Sequence, residues 1–178
     1  MKIFRRIAAL LLVLLVSAVP VSCAKKGDAL KSEAAKQLSR GFECTAAVTW
    51  NGSSYQVKLA RPSSGVCTMS FIKPAELSAL SFELGKDGLK VKFGQLEASI
   101  DPTSLPQTAL FNTILGALDE AASPTGVHAA AAANGGYRIT GKTQAGSFTL
   151  MLGPDFKPRS LAFSGLDLSA DFKDFKFS

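Results

Sequence analysis

The chain has 178 residues, a formal charge of +6, 47% apolar residues and 19% charged ones. That length fits one domain of ordinary size and excludes a second. Removing Lys2, Arg5 and Arg6 with the leader described next halves the charge and leaves no long basic run, which excludes a nucleic-acid partner and keeps only a mild bias toward anionic surfaces.

Met1-Lys2-Ile3-Phe4-Arg5-Arg6 precedes an apolar run from Ile7 to Val21, broken only by Ser17 and Pro20. These are the basic and apolar regions of a secretory signal. The run is shorter than the roughly 20 residues of a comfortable transmembrane helix, although a plain membrane anchor is the alternative. It ends in Pro20-Val21-Ser22-Cys23-Ala24, which resembles a bacterial lipobox, where a small residue precedes the cysteine that receives a diacylglycerol thioether and becomes the new N-terminus. Ser22 and Cys23 match. Pro20 departs from the Leu-like residue usual three positions before the cysteine, so ordinary cleavage near Ala18 or Ala24 stays open. The expected division is a signal peptide over residues 1–22, a lipid-anchored tether over 23–27 and a single domain over 28–178. An acylated Cys23 would then hold the domain at the extracytoplasmic face of a bacterial membrane, since two acyl chains anchor essentially permanently.

Asp28 stands where an N-cap belongs, ahead of Leu30, Ala34 and Leu38 at helical spacing, with Gly41 as the stop. From Phe42 the period changes to two. Phe42, Cys44, Ala46, Val48 and Trp50 share one face of a strand, and Tyr55, Val57 and Leu59 continue across an Asn51-Gly52 hairpin turn. Alternation resumes at Cys67, Met69 and Phe71, then Leu80, Phe82 and Leu84, then Leu89, Val91 and Phe93, then Leu96, Ala98 and Ile100. Six antiparallel strands therefore run in sequence. Ser104 and Gln107 form a capping box with Pro106 in the first turn, which predicts a helix to about Ala122. Leu110, Phe111, Ile114, Leu115 and Leu118 give it a broad apolar face, and Gly116 is a point where another element can come close. The run Ala129–Ala133 is ambiguous between helix and strand and reads better as strand before Asn134-Gly135-Gly136. Tyr137 and Ile139, then Phe148, Leu150 and Leu152, continue the alternation, and Leu161 and Phe163 with Leu166, Leu168, Ala170 and Phe172 supply one or two last strands, for about ten in all.

Three cysteines are an odd number for an exported chain, and assigning Cys23 to lipid leaves Cys44 and Cys67 as a disulfide pair. In a simple meander these two lie on next-nearest strands about 9.6 Å apart, too far for a bridge. The disulfide therefore requires a bent first strand or another strand order.

Catalytic apparatus is missing. There is one histidine, His128, beside an alanine run, and neither a Gly-x-Ser-x-Gly elbow nor a Gly-rich phosphate loop. The two mature cysteines have no nearby Cys or His partner for zinc. Asp167, Asp171 and Asp174 read as the solvated face of the last segment. The expectation is a protein that is not an enzyme and carries no metal or cofactor.

What stands out is the apolar surplus, twelve phenylalanines in all, most of them on the apolar face of strands. The order of elements, from signal and lipobox through one helix, six antiparallel strands, a second helix and further hairpins, resembles the LolA-like and LppX-like lipoprotein carriers. The stretch Gly153-Pro154-Asp155-Phe156-Lys157-Pro158-Arg159-Ser160-Leu161 is similar to that family's link into a late strand. The resemblance is one of pattern over most of residues 28–172, and no functional residue carries over by position. It implies an α+β fold with a large, curved antiparallel sheet, an incomplete barrel, covered by two helices. It further implies a membrane-anchored lipoprotein that binds acyl chains, lipid or a lipidated partner in an apolar groove. On the residue pattern that groove would be lined by Phe71, Phe82, Phe93, Phe111, Ile114, Leu115 and Leu118. The competing expectation is a non-catalytic envelope scaffold or sensor with a filled core that binds another protein.

Overall fold

The computed structural model describes residues 21–62, 65–100, 106–123, 125–133 and 135–178. The predicted signal segment up to Pro20 and the capping Ser104 lie outside them. The chain opens with helix α1 (Val21–Leu38), followed by strands β1 (Phe42–Trp50), β2 (Ser53–Arg61) and β3 (Cys67–Lys73). A short 3-10 turn (Ala75–Leu77) leads to β4 (Leu80–Gly85), β5 (Gly88–Phe93) and β6 (Leu96–Ile100). Helix α2 (Pro106–Ala122) comes next, then β7 (His128–Ala131), β8 (Tyr137–Thr143), β9 (Gly146–Leu152), β10 (Pro158–Ser164) and β11 (Leu168–Phe177).

The eleven strands form one antiparallel sheet in the order β6-β5-β4-β3-β2-β1-β11-β10-β9-β8-β7. It is curved and unclosed, as an incomplete barrel is. The strand count is eleven where about ten were expected: the last segment, open between one strand and two, is two, because the chain turns at Gly165, with φ 86°, and separates Leu161 and Phe163 on β10 from Leu168, Ala170 and Phe172 on β11. Two meanders meet at the centre, where β1 pairs with β11 from Phe42↔Phe177 to Trp50↔Leu168. The free edges are β6 and β7, and the segment that carries α2 joins one edge to the other.

The central strands bury alternate residues, as their pattern dictates, whereas the edge strands β6 and β7 bury none. On β1 that face is Phe42, Cys44, Ala46 and Val48, and on β9 it is Phe148, Leu150 and Leu152. The predicted tight turn between β1 and β2 has Asn51 at φ 48° and Gly52 at φ 74°, which matches the type that suits the twist of a hairpin. Helix α1 begins at or before Val21, upstream of the expected cap at Asp28, and runs through Lys25-Lys26-Gly27 without a break. Asp28 is instead one turn from Lys31, with their charges 3.9 Å apart. The predicted stripe holds, with Ala34 and Leu38 buried and Leu30 half-buried. No helix among the described residues is long and apolar enough to cross a membrane.

The disulfide expected between Cys44 and Cys67 is not formed, and both thiols are free and buried. Cys44 faces Leu59 on β2, and Leu59 faces Met69 on β3, two residues from Cys67. A full strand therefore separates them, about 9.6 Å at ordinary strand spacing, where a bridge needs Cα atoms within roughly 7 Å.

Candidate functional site: the inner face of the sheet and helix α2

The residues expected to line a groove divide into three groups. Phe71 on β3, Phe82 on β4 and Phe111 on α2 are brought together: the Phe71 and Phe82 rings meet edge to face at 6.2 Å, and Phe82 and Phe111 stack at 6.2 Å. Tyr55 extends the row, 5.7 Å from Phe71. Ile114, Leu115 and Leu118 follow Phe111 along the buried side of α2. All six of these predicted residues are essentially without solvent contact, so in this structure the space between sheet and helix is filled by side chains.

Phe93 stands apart. It lies on the same face of the sheet as Phe82, because Phe82 pairs with Val91 and Leu80 with Phe93 in adjacent antiparallel strands. Yet it is 54% exposed. Leu96 faces it across the β5–β6 turn and is 74% exposed. The apolar inner face thus continues onto β5 and β6 beyond the cover given by α2. Sequence reasoning missed Leu96 and Tyr55 as site residues. Strand parity placed both on the inner face, but nothing in the chain told which of those positions the helix leaves bare.

Helix α2 packs against both the sheet and α1, burying Leu110, Phe111, Ile114, Leu115, Ala117, Leu118 and Ala121. Its C-terminal end is fixed through Arg61, which pairs with Asp119, donates from Nη2 to the Leu38 carbonyl of α1 at 2.7 Å and lies 5.0 Å over the Phe42 ring. Gly116 is not the close approach its sequence position suggested. A methyl group there would meet nothing within 4 Å, and it borders a cleft of about 350 Å³ with Asn112, Thr113, Gln144 and Ala145.

The outer face is of another character. Lys92 reaches Glu83 at 2.7 Å and Glu97 at 3.6 Å, and Lys90 reaches Glu97 at 3.2 Å. The bond to Glu83 raises the Lys92 pKa, and the bond from Lys90 lowers that of Glu97. A cleft of about 400 Å³ lies against this face, lined by Val66, Glu83, Gly85, Lys86 and Lys90. Among the described residues no cluster of three or more His, Cys, Asp or Glu side chains converges. Asp167, one of the three aspartates of the last segment, accepts the Gly52 N–H at 2.8 Å and braces the β1–β2 turn.

No family model matches the chain. No curated protein sequence matches it either. Among solved structures it is similar to an uncharacterized conserved protein from Thermus thermophilus, with a TM-score of 0.50 at 13% identity over 87% of both chains. A weaker likeness, with a TM-score of 0.43 at 10% identity, is to a LolA superfamily protein from Nitrosomonas europaea and covers 85% of this chain and 94% of that one. The first is a likeness of fold alone, and the second transfers no property to this chain.

Proposed function

We propose that the chain is an exported lipoprotein, anchored through an acylated Cys23 to the extracytoplasmic face of a bacterial membrane. It binds an acyl chain, a lipid or a lipidated partner between the sheet and α2 and does not transform it. The observation that carries this reading is the inner face of the sheet, largely apolar and left bare at Phe93 and Leu96. A methylene chain laid along that strip gains about 25 cal/mol per Å² of apolar area removed from water.

Deeper binding requires the chain to take the place of the α2 side chains against Phe71 and Phe82. That exchange is chemically even, because one apolar surface replaces another, and its cost is the exposure of the helix's own apolar face. A lipid surface or a lipidated partner that receives this face offsets that cost.

The filled interior supports a second reading, in which the core stays shut and the Phe93–Leu96 strip receives a protein. Native mass spectrometry of the full chain produced in an exporting host separates the two, and the same spectrum reports cleavage and acylation at Cys23. The expected result is a diacylglycerol on Cys23 and a further stoichiometric lipid, identified after organic extraction. A chain with no adduct beyond the anchor, still bare after incubation with mixed lipids, overturns lipid binding in favour of the protein-binding module.

A further inference from the structure

In an antiparallel sheet every turn lies at one of two ends. One end holds the Asn51-Gly52 turn, the segment from Lys73 to Leu80, the Gly94-Gln95 turn, the Gln144-Ala145 turn and the Gly165–Asp167 turn. Five large apolar side chains are exposed among the described residues, and four of them, Ile72, Phe93, Leu96 and Leu166, are at this end, spread along it from the β5–β6 turn to the β10–β11 turn. Only Val66 is at the other. Trp50, the single tryptophan of the chain, closes β1 at the same end and is half-buried. A concentration of exposed apolar groups at one pole is not what solubility selects, and it marks a surface that meets something apolar.

The position of α1 tells what that is. Its C-terminal residue Leu38 is held by Arg61, at the opposite end of the sheet. Its N-terminal half lies against β7, where a methyl group on Gly27 would be 3.7 Å from the Ala129 carbonyl oxygen. Ala129 belongs to a cross-strand rung that runs through Ile139, Leu150, Leu161 and Ala170 to Val48. Val48 is two residues from Trp50 and six from Phe42. Helix α1 therefore climbs toward the Trp50 end as it is followed back to its start, and Cys23, a further turn beyond Gly27, continues in that direction. The cysteine of the lipobox thus stands toward the side on which the exposed apolar residues are gathered.

We infer that the Trp50 end of the sheet is a bilayer-docking surface, with Trp50, Ile72, Phe93, Leu96 and Leu166 seated in the interfacial region of the membrane that holds Cys23. The inference rests on the anchoring of the chain at Cys23. Tryptophan and phenylalanine at a protein pole are suited to the headgroup level, where one side of the ring is apolar and the other wet. Lys73 and Lys142 stand at this end against Glu76 and Asp167, so it carries no net acidic charge to repel an anionic bilayer. Docked in this way, the bare strip of β5 and β6 opens onto the lipid and not onto water.

Trp50 is its own reporter. The full chain from an exporting host is reconstituted into phosphatidylethanolamine–phosphatidylglycerol vesicles whose acyl chains are brominated close to the headgroup. Trp50 emission is then read beside the mass of the Cys23 peptide. The expected result is loss of Trp50 emission to the bromines together with a blue shift. The double variant Phe93→Asp/Leu96→Asp should lose both while staying with the vesicles, and Val66→Asp, at the far end, should keep both. An acylated chain that floats with the vesicles but leaves Trp50 unquenched overturns the docking surface and leaves the anchor standing. A chain with no acyl group that is still quenched by added vesicles overturns the anchor and upholds the surface, whereas loss of both signals removes both. Quenching that is the same in the double variant overturns the role of the rim. So does a shift at Trp50 produced by envelope proteins and not by vesicles, which would make this end a protein-binding face.

Discussion

Cys44 points into the inner face of β1, and burial, with Glu43 adding to it, pushes its thiol up to about 12. Cys67 moves the same way, burial outweighing the pull of Arg61. Thiols held neutral in this way are poor nucleophiles and poor metal ligands, so each cysteine serves as a small apolar core residue. The sign of the linkage follows from the shift. An unfolded Cys44 ionises near pH 9 and the folded one near 12, so between those values the unfolded chain binds fewer protons. The stabilisation is full below about pH 9 and is lost as pH rises toward about 12. Melting temperature should therefore fall on alkalinisation less steeply in Cys44→Val than in the unaltered chain. A maleimide should modify neither thiol in the folded chain at neutral pH and both after denaturation. Equal slopes in the two proteins, or rapid labelling of the folded chain, would show that Cys44 is not held as described.

Helix α2 illustrates what a sequence does and does not reveal about an element. Its span and buried side were legible because five large apolar residues recur at helical spacing, and no strand pairing competes for them. The reason for Gly116 was not legible. A glycine inside a helix costs up to about 1 kcal/mol against alanine, and close packing is the usual compensation, but here the position faces a cleft with nothing within 4 Å. Gly116→Ala should therefore raise stability by about 0.5–1 kcal/mol, measured by chemical denaturation. A loss of stability would mean that the cleft is occupied in the working protein. The strands β1 to β6 were legible for a related reason, since alternation and turn residues are local signals. What escaped is non-local. The boundary between β10 and β11 depends on pairing with β1, more than 100 residues away in the chain. The start of α1 escaped as well, because Asp28 offers a cap that the upstream residues override by continuing the helix.

At the scale of the whole molecule, the chain builds an open sheet with a single crossing, and α2 is that crossing, strung between the β6 and β7 edges over the inner face. The candidate site was half readable for this reason. Parity put Phe71, Phe82 and Phe93 on one face, but which of them α2 covers depends on how a helix tied to two distant edges settles, and no local pattern encodes that. The same architecture sets a condition on lipid binding. The inner face is already filled by Phe111, Ile114, Leu115 and Leu118, so a chain that reaches Phe71 and Phe82 must displace α2, whereas one that stays on Phe93 and Leu96 need not. Amide hydrogen exchange distinguishes the two. The amides of α2 exchange only when the helix opens, whereas those of β1 and β11 sit in the middle of the sheet and report on the fold as a whole. On addition of a lysophospholipid, exchange across Pro106–Ala122 should quicken while β1 and β11 stay protected. Binding that leaves α2 exchange unchanged would confine the lipid to the β5–β6 strip and make the buried aromatic row a permanent core. Quickened exchange in β1 and β11 as well would mean that the detergent-like probe unfolds the domain. If α2 alone responds, the helix is the movable part of the fold, and its nearly all-apolar attachment is what allows an acyl chain to take its place.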